Sequence, residues 1–112
     1  MADQTTHIFL NPVPKERAAD FEEFIRTVLL PASREHRPQW EGRSEDLRAM
    51  EEEDGVITFA FILRGGARED WDLAPLFVQA YGAEEGKRLL TRLEEMVPTG
   101  QYGWSFRPMD SQ

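Results

Sequence analysis

No cysteine occurs in this chain, so disulfides, thiolate metal sites and cysteine nucleophiles are all excluded. Histidine is nearly as scarce, with only His7 and His36. They stand far apart and lack companions at ligand spacing, so no metal site is expected. Positive charge is in short supply too. Thirteen Lys and Arg face 21 Asp and Glu, for a formal net charge of −8. Nucleic acid is excluded as a partner, because phosphate contacts need clustered Lys and Arg, and an anionic membrane surface on the same ground. No apolar run approaches the roughly 20 residues that cross a bilayer. The first residues lack a basic segment followed by an apolar run, so no signal peptide is read and a cytoplasmic protein is expected. Gly65-Gly66 lacks the Lys-Ser and spacing of a phosphate loop, and no Ser-His-Asp order can be argued.

What is present is one domain's worth of chain, 112 residues, read as a single unit over 1–112 with 1–5 and 109–112 expected to be flexible. Its most telling stretch is the uncharged run Val56 to Leu63. Alternation puts Ile57, Phe59, Phe61 and Leu63 on one strand face and Val56, Thr58, Ala60 and Ile62 on the other. A strand apolar on both sides belongs in the middle of a sheet with each surface covered.

Around it the rhythm changes several times. Thr6 to Leu10 reads as a short strand closed by Asn11-Pro12-Val13-Pro14. From Lys15 a helix follows, with Ala18, Phe21, Phe24, Ile25, Val28 and Leu29 on one side, and Pro31 is expected to break or kink it near Leu30, with a further turn through His36. After a turn at 37–42, Leu47 to Glu52 reads as a polar edge strand, and Asp54-Gly55 as the hairpin turn into Val56. Asp70 or Asp72 caps a short helix ending at Gly82. A second helical piece runs from Ala83 to Val97, and Tyr102, Trp104 and Phe106 alternate along a final strand.

The order β-α-β-β-α-β, with the second helix split, is a ferredoxin-like α+β arrangement with an antiparallel sheet. Right-handed crossovers put the first and third strands in the middle and every helix on one face. The other face is left bare. An exposed apolar patch of several hundred Å² is unusual for a monomer. Covering it on two subunits is worth on the order of 10 kcal/mol before association costs. A homodimer, paired face to face, is the expectation.

The strand His7-Ile8-Phe9-Leu10, the helix Phe21 to Leu30 with Pro31, and the turn Pro38-Gln39-Trp40 together carry a resemblance. The hairpin into Val56 to Leu63 and the closing Tyr102-Gly103-Trp104-Ser105-Phe106 complete it. In element order and patterning over nearly its whole length, the chain resembles the dimeric α/β-barrel proteins that include antibiotic-biosynthesis monooxygenases. The resemblance implies face-to-face dimers and a small organic ligand held between the helices and one sheet face. Members include cofactor-free quinone-forming monooxygenases, polyketide cyclases, haem-degrading enzymes and lactone isomerases, and fold does not choose among them. The haem-degrading members place a ligating His on the second helix, and this chain has no histidine after His36.

Candidate chemistry follows from residue type and position. His7, on a central strand, is the leading candidate to handle protons, in competition with a structural role. His36 is the second, although a cation at a helix end is already favoured by the dipole. Asn11 could orient a ligand carbonyl, or simply make the turn before Pro12. Trp40, Trp71, Tyr81 and Trp104 are the candidates to hold a planar ring, against the plainer reading that they fill the core. Arg64 should sit at the rim of the dimer seam, where a salt bridge to a carboxylate across the interface is favoured over binding an acidic ligand. No cofactor is expected. Two functions compete. One is a cofactor-independent monooxygenase or cyclase acting on an aromatic or polyketide-like compound. The other is a non-catalytic ligand-binding or assembly module.

Overall fold

Strand β3 (Val56–Arg64) lies inside a four-stranded sheet, between β2 (Ser44–Arg48) and β1 (Thr6–Pro14). β4 (Tyr102–Phe106) completes the order β2-β3-β1-β4, with every neighbour antiparallel. This computed structural model describes residues 4–109. Of the ends expected to be flexible, 1–3 and 110–112 lie outside the described residues. The Thr5 carbonyl accepts from the Gly65 N–H at 2.7 Å.

The sheet is two-faced, as the alternation requires. Ile57, Phe59, Phe61 and Leu63 are buried, while Val56, Thr58, Ala60 and Ile62 are only half-buried. Four helices cover the first face: α1 (Ala18–Phe24), α2 (Leu30–His36), α3 (Leu73–Tyr81) and α4 (Ala83–Glu95). Phe21 packs on Phe59 with ring centroids 4.6 Å apart, and Phe24 meets Phe77 edge-on at 6.0 Å. Each such buried phenyl stabilises the fold by about 2–3 kcal/mol. Helices α3 and α4 cross closely at Gly86, where an added Cβ would stand 2.8 Å from the Phe77 carbonyl. The fold is the ferredoxin-like α+β arrangement.

Three boundaries differ from the sequence reading. β1 does not stop at Leu10 but continues through two prolines. Lys15 bonds the Gly55 carbonyl at 2.9 Å and Gly65 bonds Thr5, which sets the ladder to β3 on odd residues of β1. The nitrogens of Pro12 and Pro14 therefore point away from β3, to the side where β4 pairing has already ended at Leu10. No hydrogen bond is lost. Second, β2 spans Ser44–Arg48 rather than Leu47 to Glu52, because the hairpin has two parts. Asp54 and Gly55, at φ 53° and 77°, form a tight turn closed by Glu53 and Val56, and residues 50–52 loop out before the ladder resumes at Ala49.

Third, the first helix reaches His36, as expected of the further turn past Pro31, but by a widened turn and not a break. Between α1 and α2 the chain makes a π-helical stretch, Ile25–Leu29, in which the Leu30 N–H bonds the Ile25 carbonyl. Pro31 has no N–H to offer the carbonyl four residues back, and widening the turn absorbs that loss without a break. Elsewhere Gly82 ends α3 at φ 92°, and β4 forms where the aromatic alternation predicts it.

Candidate functional site

Between the helices and the sheet lies a cavity of about 690 Å³, within the range of small-molecule sites. Its floor is sheet: Phe9 and Asn11 from β1, Ser44 and Asp46 from β2, Phe61 and Leu63 from β3. Its roof is helical, with Leu29, Leu30 and Ser33 from the first helix and Leu73, Leu90 and Leu93 from the second pair. The π-helical stretch thus forms part of the wall.

One end is aromatic. Trp40 closes a 3-10 turn after α2, and Trp71 ends another before α3. Their rings stack with centroids 5.0 Å apart and 29° between planes. The Trp71 indole N–H donates to the Gly65 carbonyl at 2.8 Å, which fixes its ring. The Arg37 guanidinium lies over Trp40 at 5.9 Å and that of Arg43 over Trp71 at 5.6 Å, so cations bracket the pair.

The polar groups of the cavity are few. Asn11 is almost wholly buried, its amide donating to the Phe59 carbonyl at 3.2 Å and its oxygen accepting from Gln101 at 2.9 Å. The Arg68 guanidinium lies 4.9 Å over the Phe9 ring. Asp46, Asp72 and Glu94 contribute carboxylates. Loss of hydration against the cavity wall pushes the Asp46 carboxyl above its ordinary value, although the residue still reaches water through the open side. Among the described residues no group of three His, Cys, Asp or Glu side chains is placed to hold a metal ion.

Of the residues singled out in the sequence, Asn11, Trp40 and Trp71 meet in this cavity. The others lie elsewhere. His7 is buried with both ring nitrogens occupied: Nε2–H donates to the Gly66 carbonyl at 2.8 Å, and Nδ1 lies 2.7 Å from the Ser105 hydroxyl. A carbonyl only accepts, so Nε2 carries a hydrogen, and in the neutral ring Nδ1 accepts from Ser105. His7 staples β1 to β4 and to the turn after β3. His36 sits in the last turn of α2, 3.9 Å from the Glu35 carboxylate, where the helix end favours a cation. The Tyr81 hydroxyl donates to the Val28 carbonyl at 2.7 Å, and burial, with Glu35 adding to it, pushes its ionisation upward. Trp104 points from β4 to the uncovered sheet face, where 55% of it is exposed beside Tyr102. It pairs with Ile8, an even residue, which puts it on the side opposite the cavity. Arg64 pairs within its own chain, with Glu45 of the adjacent strand at 2.7 Å, rather than with a carboxylate across an interface. The sequence reading missed Asp46, Arg68 and Gln101. A correct register for β2 would have turned Asp46 inward with Ser44. Nothing local marked the other two.

No family model matches the sequence, and no curated protein matches it significantly. Among solved structures, the chain is similar to a proposed antibiotic biosynthesis monooxygenase from Caulobacter crescentus, at 13% identity and a TM-score of 0.52. That alignment covers 97% of this chain and 92% of the other. A de novo designed protein with a ferredoxin fold aligns over 97% of this chain and 90% of its own, at 13% identity and a TM-score of 0.43.

Proposed function

We propose that the chain works as a cytoplasmic homodimer that binds a planar aromatic or polyketide-like compound in this cavity, and oxygenates or cyclises it without a resident cofactor. The observation that carries the reading is the stacked Trp40–Trp71 pair at the end of a 690 Å³ space floored by Phe9 and Phe61. Such a slot matches a flat, fused-ring molecule, which trades hydration for ring-on-ring contact on both sides. The fold likeness to a proposed antibiotic biosynthesis monooxygenase supports the choice of chemistry. In an oxygenation of this type, a methylene flanked by two aryl rings becomes a carbonyl. One atom of dioxygen becomes the carbonyl oxygen, the other leaves as water with the two methylene hydrogens, and the two C–H bonds supply all four electrons that reduce dioxygen.

Anthrone is a suitable probe. Titrated into the protein, it is expected to quench tryptophan fluorescence saturably. Trp40→Leu should weaken binding about tenfold, roughly one stacking interaction. Absence of saturable binding by anthrone and related fused-ring ketones would remove the proposal. One further observation favours the second reading, a non-catalytic binding module: protein groups hold His7 away from the cavity. Oxygen uptake during turnover separates the two, since the module would bind anthrone and consume none.

A further inference from the structure

We propose that Asp46 is the proton-abstracting base of this cavity, working against Arg68, which receives the charge that develops on the ligand oxygen. The inference rests on the catalytic reading above and names the acid–base chemistry of that same site.

Strand alternation decides which side chains of β2 face the helices: Ser44, Asp46 and Arg48, opposite Leu63, Phe61 and Phe59. Arg48 is committed, paired with Glu22 of α1. The Asp46 side chain has no hydrogen bond and no ion pair among the described residues. It stands at the junction of the main cavity with a side groove of about 280 Å³, and Leu30 and Phe61 border both spaces. Register puts Asp46, Phe61 and Phe9 in one row across the sheet. Two strand spacings of about 4.8 Å separate its ends, so a flat ring fits over the row between them. At the far end Arg68 covers Phe9, and its guanidinium has no carboxylate within ion-pair distance among the described residues.

The other carboxylates of the cavity are less well placed. Asp72 is the residue before α3, and Glu94 lies in the exposed last turn of α4, both on the roof side. Only Asp46 rises from the floor beside the rings. The two histidines are elsewhere, one stapled into the sheet and one at a helix end. Partial desolvation also makes the Asp46 carboxylate a stronger base than one in water.

The step balances without an oxidant. A C–H bond of the methylene that the rings conjugate to the ligand carbonyl breaks, and its proton goes to a carboxylate oxygen of Asp46. The electron pair moves through the ring system onto the carbonyl oxygen, which becomes an enolate facing Arg68. The ligand gains the negative charge that Asp46 loses. The enolate is the electron-rich species that then adds to dioxygen or attacks an internal carbonyl, so the step serves oxygenase and cyclase alike.

Exchange of anthrone methylene hydrogens for deuterium, measured by mass spectrometry in D2O under argon at saturating anthrone, tests it. The wild-type protein is expected to accelerate exchange over buffer. Asp46→Asn should cut that acceleration at least 100-fold, within the usual contribution of a general base. Asp46→Glu should restore part of it, which separates lost chemistry from lost folding. Asp46→Asn exchanging at the wild-type rate, with anthrone bound, would overturn the assignment and leave the cavity reading intact. Wild-type protein that binds anthrone yet gives no exchange above buffer overturns it as well. No binding at all would take down both.

Discussion

A carboxyl held against phenyl and leucine side chains loses hydration, and Asp46 carries that loss in the native state alone. Its native ionisation is raised above 3.8 while the unfolded chain keeps the ordinary value. Between those two points the native state binds more protons than the unfolded one, so stability falls as pH rises through the window. Above the window the cost of the partly desolvated charge is fully present. Asp46→Asn cannot ionise. It should therefore melt higher than wild type at pH 7, with the gap closing as pH falls toward 3.8. Melting curves across that range check the sign, and an equal gap at all pH values would contradict it. His7 shows the opposite economy. Its buried ring is satisfied by Ser105 and a backbone carbonyl, and so it serves the sheet rather than the ligand.

At the level of elements, Pro31 and Tyr81 belong together. The proline withholds a donor from the turn before it, and the chain answers with the π-helical stretch Ile25–Leu29. Tyr81, arriving from α3, donates its hydroxyl to the Val28 carbonyl inside that stretch. The bond ties the two helical layers at the wall of the cavity, since Leu29 and Leu30 line it. Tyr81→Phe should lower stability by about 1–2 kcal/mol, read as a shift in the denaturation midpoint with an unchanged slope. A shift within about 0.3 kcal/mol would mean that the carbonyl finds water instead. Elements also explain why a helix expected to break or kink near Leu30, with a further turn through His36, instead reaches His36 through a widened turn. Periodicity identifies the apolar side of a helix, but whether a lost hydrogen bond ends it depends on packing that sequence spacing does not contain.

For the whole molecule the uncovered sheet face is the governing feature. Tyr102, Trp104, Phe106 and Leu47 each expose about half of their surface there, with Ile8, Leu10, Val56 and Ile62 half-buried between them. The Arg64–Glu45 pair stands at one edge of the patch. A second copy meeting it face to face would remove the patch from water, which is the ground for the proposed homodimer. Trp104→Glu puts a charge in the aromatic row of its β4 edge. Sedimentation at micromolar concentration should show dimers for the wild type and monomers for this variant. Wild-type protein that sediments as a single chain would withdraw the dimer.

Alternation and turn chemistry were enough to determine the two-faced central strand and the Asp54-Gly55 turn, because each follows from near neighbours along the chain, and the handedness of crossovers then set the strand order. They also marked Asn11, Trp40 and Trp71, whose apolar or turn-forming positions are visible locally. The inward direction of Asp46 was decided by a β2 register that depends on the long hairpin loop, and the opening of Arg68 beside Phe9 by a 3-10 turn distant in sequence. The exclusion of both histidines and of Trp104 from the cavity was likewise tertiary. A side chain's face is set by its strand, but what that face meets is set by whatever the rest of the chain packs above it.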